Sequence, residues 1–219
     1  MKKIAVLHTI QSVISPFCDK LRSANQTGED LAIYNTLDEF LSTNPSNRSL
    51  TQQNLNRLLL LLKAMELEEP DLIICTCTTM SPEIDGLRNL ISTPIIVIDD
   101  ALCEKAVHAG SKIAILASVS GLVEPTKEKL LSLAKNTGKT LDLSVYLCEE
   151  AMAALKKGDM DTHDRIIMDM AATINGHEVV ILPQASMDHL SKMIELTCGM
   201  PTLSCIDPCI EYIWRNYSL

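Results

Sequence analysis

Short, unbroken apolar runs alternate with longer amphipathic stretches along most of the chain. Ile4–His8 is the first such run, followed by a helical pattern over Ser15–Ser23 and a short second strand at Ile33–Asn35. Pro45–Ser49 reads as loop and Leu50–Leu67 as a long helix. Leu72–Thr76 reads as a buried strand, after which Ser81-Pro82-Glu83 supplies an N-cap, a first-turn proline and a first-turn acid. A strand at Ile95–Ile98 and a helix from Ala101 to Gly110 close this part. The same grammar then returns. Ile113–Ala117 is a strand and Glu124–Lys135 a helix ended by Gly138, and Leu141–Leu147 is strand-like. Helices follow over Glu150–Lys157 and Asp161–Asn175, the latter with Gly176 as C-cap. Val179–Leu182 is a strand, Asp188–Leu196 a helix, Thr202–Cys205 a last strand and Cys209–Trp214 a last helix. Strands that are apolar throughout are buried on both faces, and their alternation with helices predicts parallel sheets with right-handed crossovers.

The two halves are also related residue by residue. Ile4-Ala5-Val6-Leu7-His8-Thr9 matches Ile113-Ala114-Ile115-Leu116-Ala117-Ser118. An offset of about 107 lays Leu72–Met80 on Val179–Met187 without a gap, pairing Pro94 with Pro201, Asp100 with Asp207 and Glu104 with Glu211. The expectation is α/β: two pseudo-symmetric parallel-sheet domains facing a central cleft. Residues 1–98 with 206–219 form the first and 99–205 the second, each of ordinary small-domain size.

Composition narrows the chemistry. Aromatics are 3% of the 219 residues, so the core is aliphatic. The net charge of −9 and the lack of any Lys/Arg run exclude a nucleic-acid footprint. The apolar stretch after Met1 ends at His8-Thr9, too short for a signal peptide. Lys63 and Glu66 follow the apolar run Leu58–Leu62, so no membrane span is expected. A cytoplasmic protein acting on a small molecule, without nucleic acid or membrane as partner, fits these limits.

Eight cysteines in such a chain read as reduced, mostly buried thiols with one reactive member. Cys75/Cys77 and Cys205/Cys209 lack the Cys-x-x-Cys spacing of zinc sites, so no metal is expected. No Gly-rich phosphate loop is present either, so no cofactor is expected. Parallel sheets bind ligands beyond the carboxyl ends of their strands. Two halves facing each other bring together His8-Thr9, Cys77-Thr78-Thr79, Ser118–Ser120 and Gln184-Ala185-Ser186, loops rich in hydroxyls and poor in charge. Cys77 lies between a buried strand and a helix start, a setting that favours thiolate. Cys75, inside the strand, is core. His8 is placed for a polar role at the site, whereas His108, His163, His177 and His189 are expected on solvated faces or as caps.

With these residues assembled, the chain resembles the aspartate/glutamate/hydantoin racemase superfamily. Its first motif, a Cys-Asn-Thr-like turn after a buried strand, reads here Thr76-Cys77-Thr78-Thr79. The first-strand motif corresponds to Ile4–Thr9 and the Ser/Thr loop of the second half to Ser118-Val119-Ser120. The resemblance implies two pseudo-symmetric domains, a homo-oligomer and cofactor-independent chemistry with one cysteine per half. The second motif departs from the pattern. Where the family has Gly-Cys-Thr, this chain has Pro183-Gln184-Ala185-Ser186-Met187, and glutamine is no proton-transfer base.

The expected protein is therefore a racemase- or isomerase-like enzyme acting on a small carboxylate, with Cys77 as catalytic thiolate. Substrate binding falls to His8, Thr9, Thr78, Thr79, Ser118, Ser120, Gln184, Ala185 and Ser186. A one-cysteine lyase or decarboxylase and a non-catalytic small-ligand binder remain open. So does a second base supplied by Cys205 or His8.

Overall fold

The computed structural model describes residues 1–217 apart from 27, 29 and 44–50. The loop expected over Pro45–Ser49 lies outside the described residues. In chain order the elements are β1 (Lys2–His8), α1 (Ile14–Ser23), β2 (Leu31–Leu37), α2 (Gln52–Glu66), β3 (Leu72–Cys75), α3 (Ser81–Leu87), β4 (Ile95–Val97) and α4 (Asp100–Ala109). There follow β5 (Lys112–Ala117), α5 (Val123–Asn136), β6 (Asp142–Leu147), α6 (Glu149–Lys156), α7 (Met160–Ala171), β7 (Val179–Leu182), α8 (Ser191–Cys198), β8 (Thr202–Ser204) and α9 (Ile206–Asn216). Contacts divide the chain into two compact units, Met1–Asp100 with the chain from Ile206 onward, and Ala101–Cys205.

Each unit has its own four-stranded sheet, ordered β2-β1-β3-β4 in the first and β6-β5-β7-β8 in the second. Every strand pair is parallel. The two sheets thus share one winding. Parallel neighbours require a crossover, and the helices supply it. The inner strands β3 and β7 read Leu-Ile-Ile-Cys and Val-Val-Ile-Leu and are buried at all four positions. On one side of the first sheet, Leu58, Leu62 and Met65 of α2 pack with Ala5, Leu7, Ile73 and Cys75. In the second unit Ile167 and Ala171 of α7 and Ile194 of α8 pack with Ala114, Leu116, Val180 and Leu182. Removing such a fully buried leucine or isoleucine to alanine costs about 2–5 kcal/mol.

The strands and helices fall within a few residues of their sequence-based positions. Three boundaries differ for identifiable reasons. Ser81 is not an N-cap, because a 3-10 turn over Thr78–Met80 already precedes α3 and Met80 holds the cap position. The Ser81 hydroxyl instead donates to the buried Asp99 (3.2 Å). Likewise a 3-10 stretch, Ala185–Leu190, occupies the start expected for α8, and Asp188 within it accepts from the Ser204 hydroxyl. Gly176 does not cap α7. That helix ends at Ala171, with Thr173 donating its hydroxyl back to the Met170 carbonyl (2.7 Å). Gly176 takes a left-handed φ of 74° farther on.

Gly110, which follows α4, has a packing reason for being glycine. A Cβ there would lie 2.7 Å from both Cβ and Oε2 of Glu178. Glu178 Oε2 accepts from the backbone N–H of Ser111 (2.5 Å) and Lys112 (3.2 Å), bonds that hold its carboxyl below the usual glutamate range. Gly110→Ala must displace this carboxylate from its backbone partners. The expected cost is about 1–3 kcal/mol, the range for overpacking. Urea unfolding should show it as a lower midpoint with the slope unchanged.

Candidate active site

The chemistry-bearing residues of each unit gather where its two inner strands end. In the first unit β1 ends at His8 and β3 at Cys75, and the strands are paired side by side. The ladder runs one residue past β3, with Thr76 N–H donating to the Leu7 carbonyl (3.0 Å). Cys77 then stands in extended conformation (φ −117°, ψ 105°) before the 3-10 turn, which closes with Met80 N–H on the Cys77 carbonyl (3.0 Å). Met80 is fully buried in the core and fixes this turn. The Cys77 side chain is left half-buried, packed at the edge of the core, with Sγ 3.0 Å from the Thr79 hydroxyl. Either group can donate in that pair. Once the sulfur is a thiolate, the hydroxyl must.

The second unit repeats this backbone with different side chains. Gln184 follows β7 in extended conformation (φ −112°, ψ 126°), and Met187 N–H closes the turn on its carbonyl (3.1 Å). Met187 is fully buried, like Met80. The Gln184 amide, however, is turned inward onto Ser118, which follows the neighbouring strand β5. Oε1 accepts from Ser118 N–H at 2.6 Å, and Nε2 donates to the Ser118 hydroxyl at 3.0 Å. Both residues are buried. A half-buried thiol in one unit is matched by a hydrogen-bonded clamp in the other.

The remaining expected site residues are distributed unevenly. Thr9 and Thr78 are buried beside the strand ends. Ser120 is half-buried, and its hydroxyl donates to Glu149 (2.6 Å). Ala185 is half-buried, whereas Ser186 is buried with a hydroxyl that makes no hydrogen bond.

His8 is the largest surprise among them, because its ring is fully buried. Nε2 lies 3.0 Å from Asn35 Oδ1 on β2, and Nδ1 lies 3.0 Å from the Thr76 hydroxyl. Burial pushes the imidazole below its ordinary range, and the Asn35 bond offsets only part of this. The neutral ring therefore donates from Nε2 to Asn35, and the Thr76 hydroxyl, whose residue leads into Cys77, shares its single proton between His8 Nδ1 and the Leu7 carbonyl (3.2 Å). Asn35 also accepts from the Cys18 thiol (3.2 Å). Asn35, Thr76 and Cys18 thus form a support that sequence reasoning did not find. The one available signal was an asparagine inside a strand, where that residue is disfavoured.

Only Cys77 and Cys198 are half-buried thiols; the other six are buried. Desolvation, followed by the neighbouring Cys77, holds the Cys75 thiol well above the usual range. Burial raises Cys148, beside β6, to about 11. Cys205, considered from sequence as a second base, is fully buried, as is His8. Of the other histidines, His108 and His189 are exposed as expected, and His163 differs. His163, expected at a solvated face or cap, is fully buried and bonded through Nδ1 to Asp164 (2.7 Å), and His189 bonds the same carboxylate (2.9 Å). Among the described residues, no cluster of three or more His, Cys, Asp or Glu side chains is arranged to hold a metal. Nor is any described helix long and apolar enough to cross a membrane.

Comparison with known proteins agrees with the fold and places the chain in a family. The Asp/Glu/hydantoin racemase family model matches residues 22–214, and the chain belongs to that family. It is accordingly a racemase-type isomerase by family, one whose members act on small carboxylate substrates. Solved structures share the fold at low identity. A glutamate racemase from Bacillus anthracis is 11% identical, with a TM-score of 0.72 over 98% of this chain and 80% of that one. An aspartate racemase from Picrophilus torridus is 13% identical, with a TM-score of 0.72 over 100% and 95%. An allantoin racemase from Klebsiella pneumoniae is 12% identical, with a TM-score of 0.60 over 98% and 87%. A sequence search of curated proteins finds no match.

The buried His8 gives a pH prediction. Its folded-state affinity for protons lies below that of the unfolded chain, whose histidine has the ordinary value of 6.5. The stability it protects is complete above that value and is lost as pH falls through and below it. The wild-type urea midpoint should therefore decline between pH 6.5 and about 5 more steeply than that of His8→Gln, which cannot titrate there. Equal slopes would mean that His8 is solvated in the native state.

Proposed function

We propose that this protein is a cofactor-independent racemase- or isomerase-type enzyme that uses a single thiolate, Cys77, on a small carboxylate or a related carbonyl compound. The observation that carries the reading is the contrast between two equivalent turns, a half-buried Cys77–Thr79 pair after β3 and a Gln184–Ser118 clamp after β7. As thiolate, Cys77 Sγ takes the proton from the carbon next to the substrate carbonyl. That C–H bond breaks, an S–H bond forms, and the electron pair passes to the carbonyl oxygen as an enolate. Hydroxyl and N–H donors at the strand ends, Thr79 foremost, stabilise that oxygen. Reprotonation from Cys77 returns the starting hand; a proton from water on the other face inverts it, and the hydroxide left behind takes the Cys77 proton and restores the thiolate.

Gln184 supports a one-base scheme, because its amide has no proton-transfer role and is held by two hydrogen bonds. The same arrangement favours a second reading, a lyase or decarboxylase in which one thiol protonates a carbanion after a C–C bond breaks. His8 acts here as a positioning residue through Thr76 and does not contact substrate. Assembly as a homo-oligomer and a cytoplasmic location belong to the same proposal, and sedimentation of the purified chain tests the former.

Exchange of substrate α-protons in deuterated water, followed by NMR over a panel of small chiral acids and hydantoins, tests the function. Exchange should drop about 10²–10⁴-fold in Cys77→Ala, the contribution typical of a positioned base. In the wild type deuterium should enter the enantiomer supplied much faster than its mirror image. Gln184→Cys should raise formation of the opposite enantiomer. Iodoacetamide should label Cys77 before Cys198, the thiol of comparable exposure. Equal labelling together with no exchange would favour the non-catalytic binder, and equal deuterium in both enantiomers of the wild type would defeat the one-base scheme.

A further inference from the structure

The asparagine in the middle of β2 governs the charge of the ring behind the Cys77 turn. Asn35 lies opposite Val6 in the β1–β2 register, and its Oδ1 meets both His8 Nε2 (3.0 Å) and the Cys18 thiol (3.2 Å). Burial raises the Cys18 thiol above its ordinary range, so it is protonated and donates, which turns the amide oxygen toward the ring. On another side the imidazole meets the fully buried Phe17 ring, with centroids 6.2 Å apart and planes at 75°. Among the described residues no charged side chain bonds the ring. The charged groups on the elements around it have other partners. On α1, Asp19 pairs with Arg22 and Lys20 with Asp207 of α9; after β2, Asp38 pairs with Arg57. After β4, Asp99 accepts from Ser81 and Asp100 pairs with Arg88.

An amide at position 35 differs from its isostere in one respect. A carboxylate would keep the shape and still accept from Nε2, but it would hold a second proton on the ring as an ion pair. Nδ1 would then donate to the Thr76 hydroxyl, whose own proton would pass wholly to the Leu7 carbonyl. The hydrogen bonds would survive and only the charge would change. The sheet order β2-β1-β3 puts the ring one strand from the exit that carries Cys77, and residue 35 two strands from it. With strands about 4.8 Å apart, an imidazolium would act on the sulfur more strongly than the carboxylate behind it.

We infer that Asn35 is a positioning residue: by keeping His8 uncharged beside the strand that leads into Cys77, it sets the pH range over which that thiol can act. The thiolate then depends on the Thr79 hydroxyl at 3.0 Å and on the N–H groups of its turn, without help from a cation. The inference takes Cys77 as the reactive group from the proposed function, but thiol labelling needs no substrate, so the two can fail separately.

Asn35→Asp and the double variant Asn35→Asp with His8→Gln separate charge from structure. Labelling of each cysteine by iodoacetamide would be followed by mass spectrometry across the neutral range, with Cys198 of the second unit as reference. In Asn35→Asp, Cys77 should react at lower pH than in the wild type, roughly three- to tenfold faster on the acid side, as unit charges at an effective dielectric of about 20 imply. Cys198 should not change. In the double variant the carboxylate acts alone, so Cys77 should need higher pH than in the wild type. Nitrogen NMR of the His8 ring should show a neutral wild-type imidazole at about pH 6, where an ordinary histidine is mostly charged, and an imidazolium in Asn35→Asp. The acid limb of α-proton exchange should move with the labelling, in kcat and not in KM.

A charged wild-type ring at that pH would overturn the inference. So would a neutral ring or an unshifted Cys77 profile in folded Asn35→Asp, or the same downward shift in both variants. Shifted labelling with no exchange on any acid or hydantoin would uphold it and sink the isomerase reading. Should Asn35→Asp not fold, the wild-type ring spectrum decides.

Discussion

Everything at the candidate site depends on how the inner strands stop. A parallel strand must leave its ladder with the last backbone groups satisfied, and both inner-strand exits do so alike. One extended residue is followed by a 3-10 turn, closed by the N–H of a methionine whose side chain is locked in the core. Burial of Met80 and Met187 therefore does more than fill volume. It fixes the direction in which the extended residue presents its side chain, whatever that side chain is. Position is set by the fold, and chemistry by one residue in each unit.

Which residue stands there divides the units. Cys77 has a hydroxyl at 3.0 Å and partial exposure, as a reactive thiol needs. Its neighbour Cys75, two residues earlier on the buried strand, has neither, and burial keeps it protonated. Gln184 takes up the N–H and hydroxyl of Ser118, two groups that otherwise would be available to a ligand. The second unit thus presents a hydrogen-bonded amide at the position where the first presents a half-buried thiol.

Much of this was legible in the sequence, for reasons that can be named. Strands such as Leu72–Cys75 and Val179–Leu182 are apolar at every position, and only a two-sided burial explains that. The offset repeat aligned Cys77 with Gln184 before any coordinates, and the equivalent turns realise that alignment. Side-chain partners were harder to foresee, because they depend on contacts between residues distant in sequence. Nothing local indicated that His8 would be sealed between Asn35 and Thr76, 27 and 68 residues away. The same holds for His163, expected on a solvated face or as a cap, which is buried with Nδ1 2.7 Å from Asp164. Capping failed at α3, where a 3-10 turn precedes the helix and leaves Ser81, a residue type of caps, inside it with Met80 at the cap position.

The Gln184–Ser118 clamp also has an evolutionary consequence. A residue that leaves the reaction is free to be recruited by the scaffold, and here the recruit satisfies a buried backbone donor. Leaving such a donor unsatisfied costs about 1–3 kcal/mol. Reversal to a cysteine at this position would then give up framework bonds before any catalytic benefit could appear. Packing adjusted to the glutamine on either side would deepen that cost, so a thiol at this position is the more expensive the better the clamp is fitted.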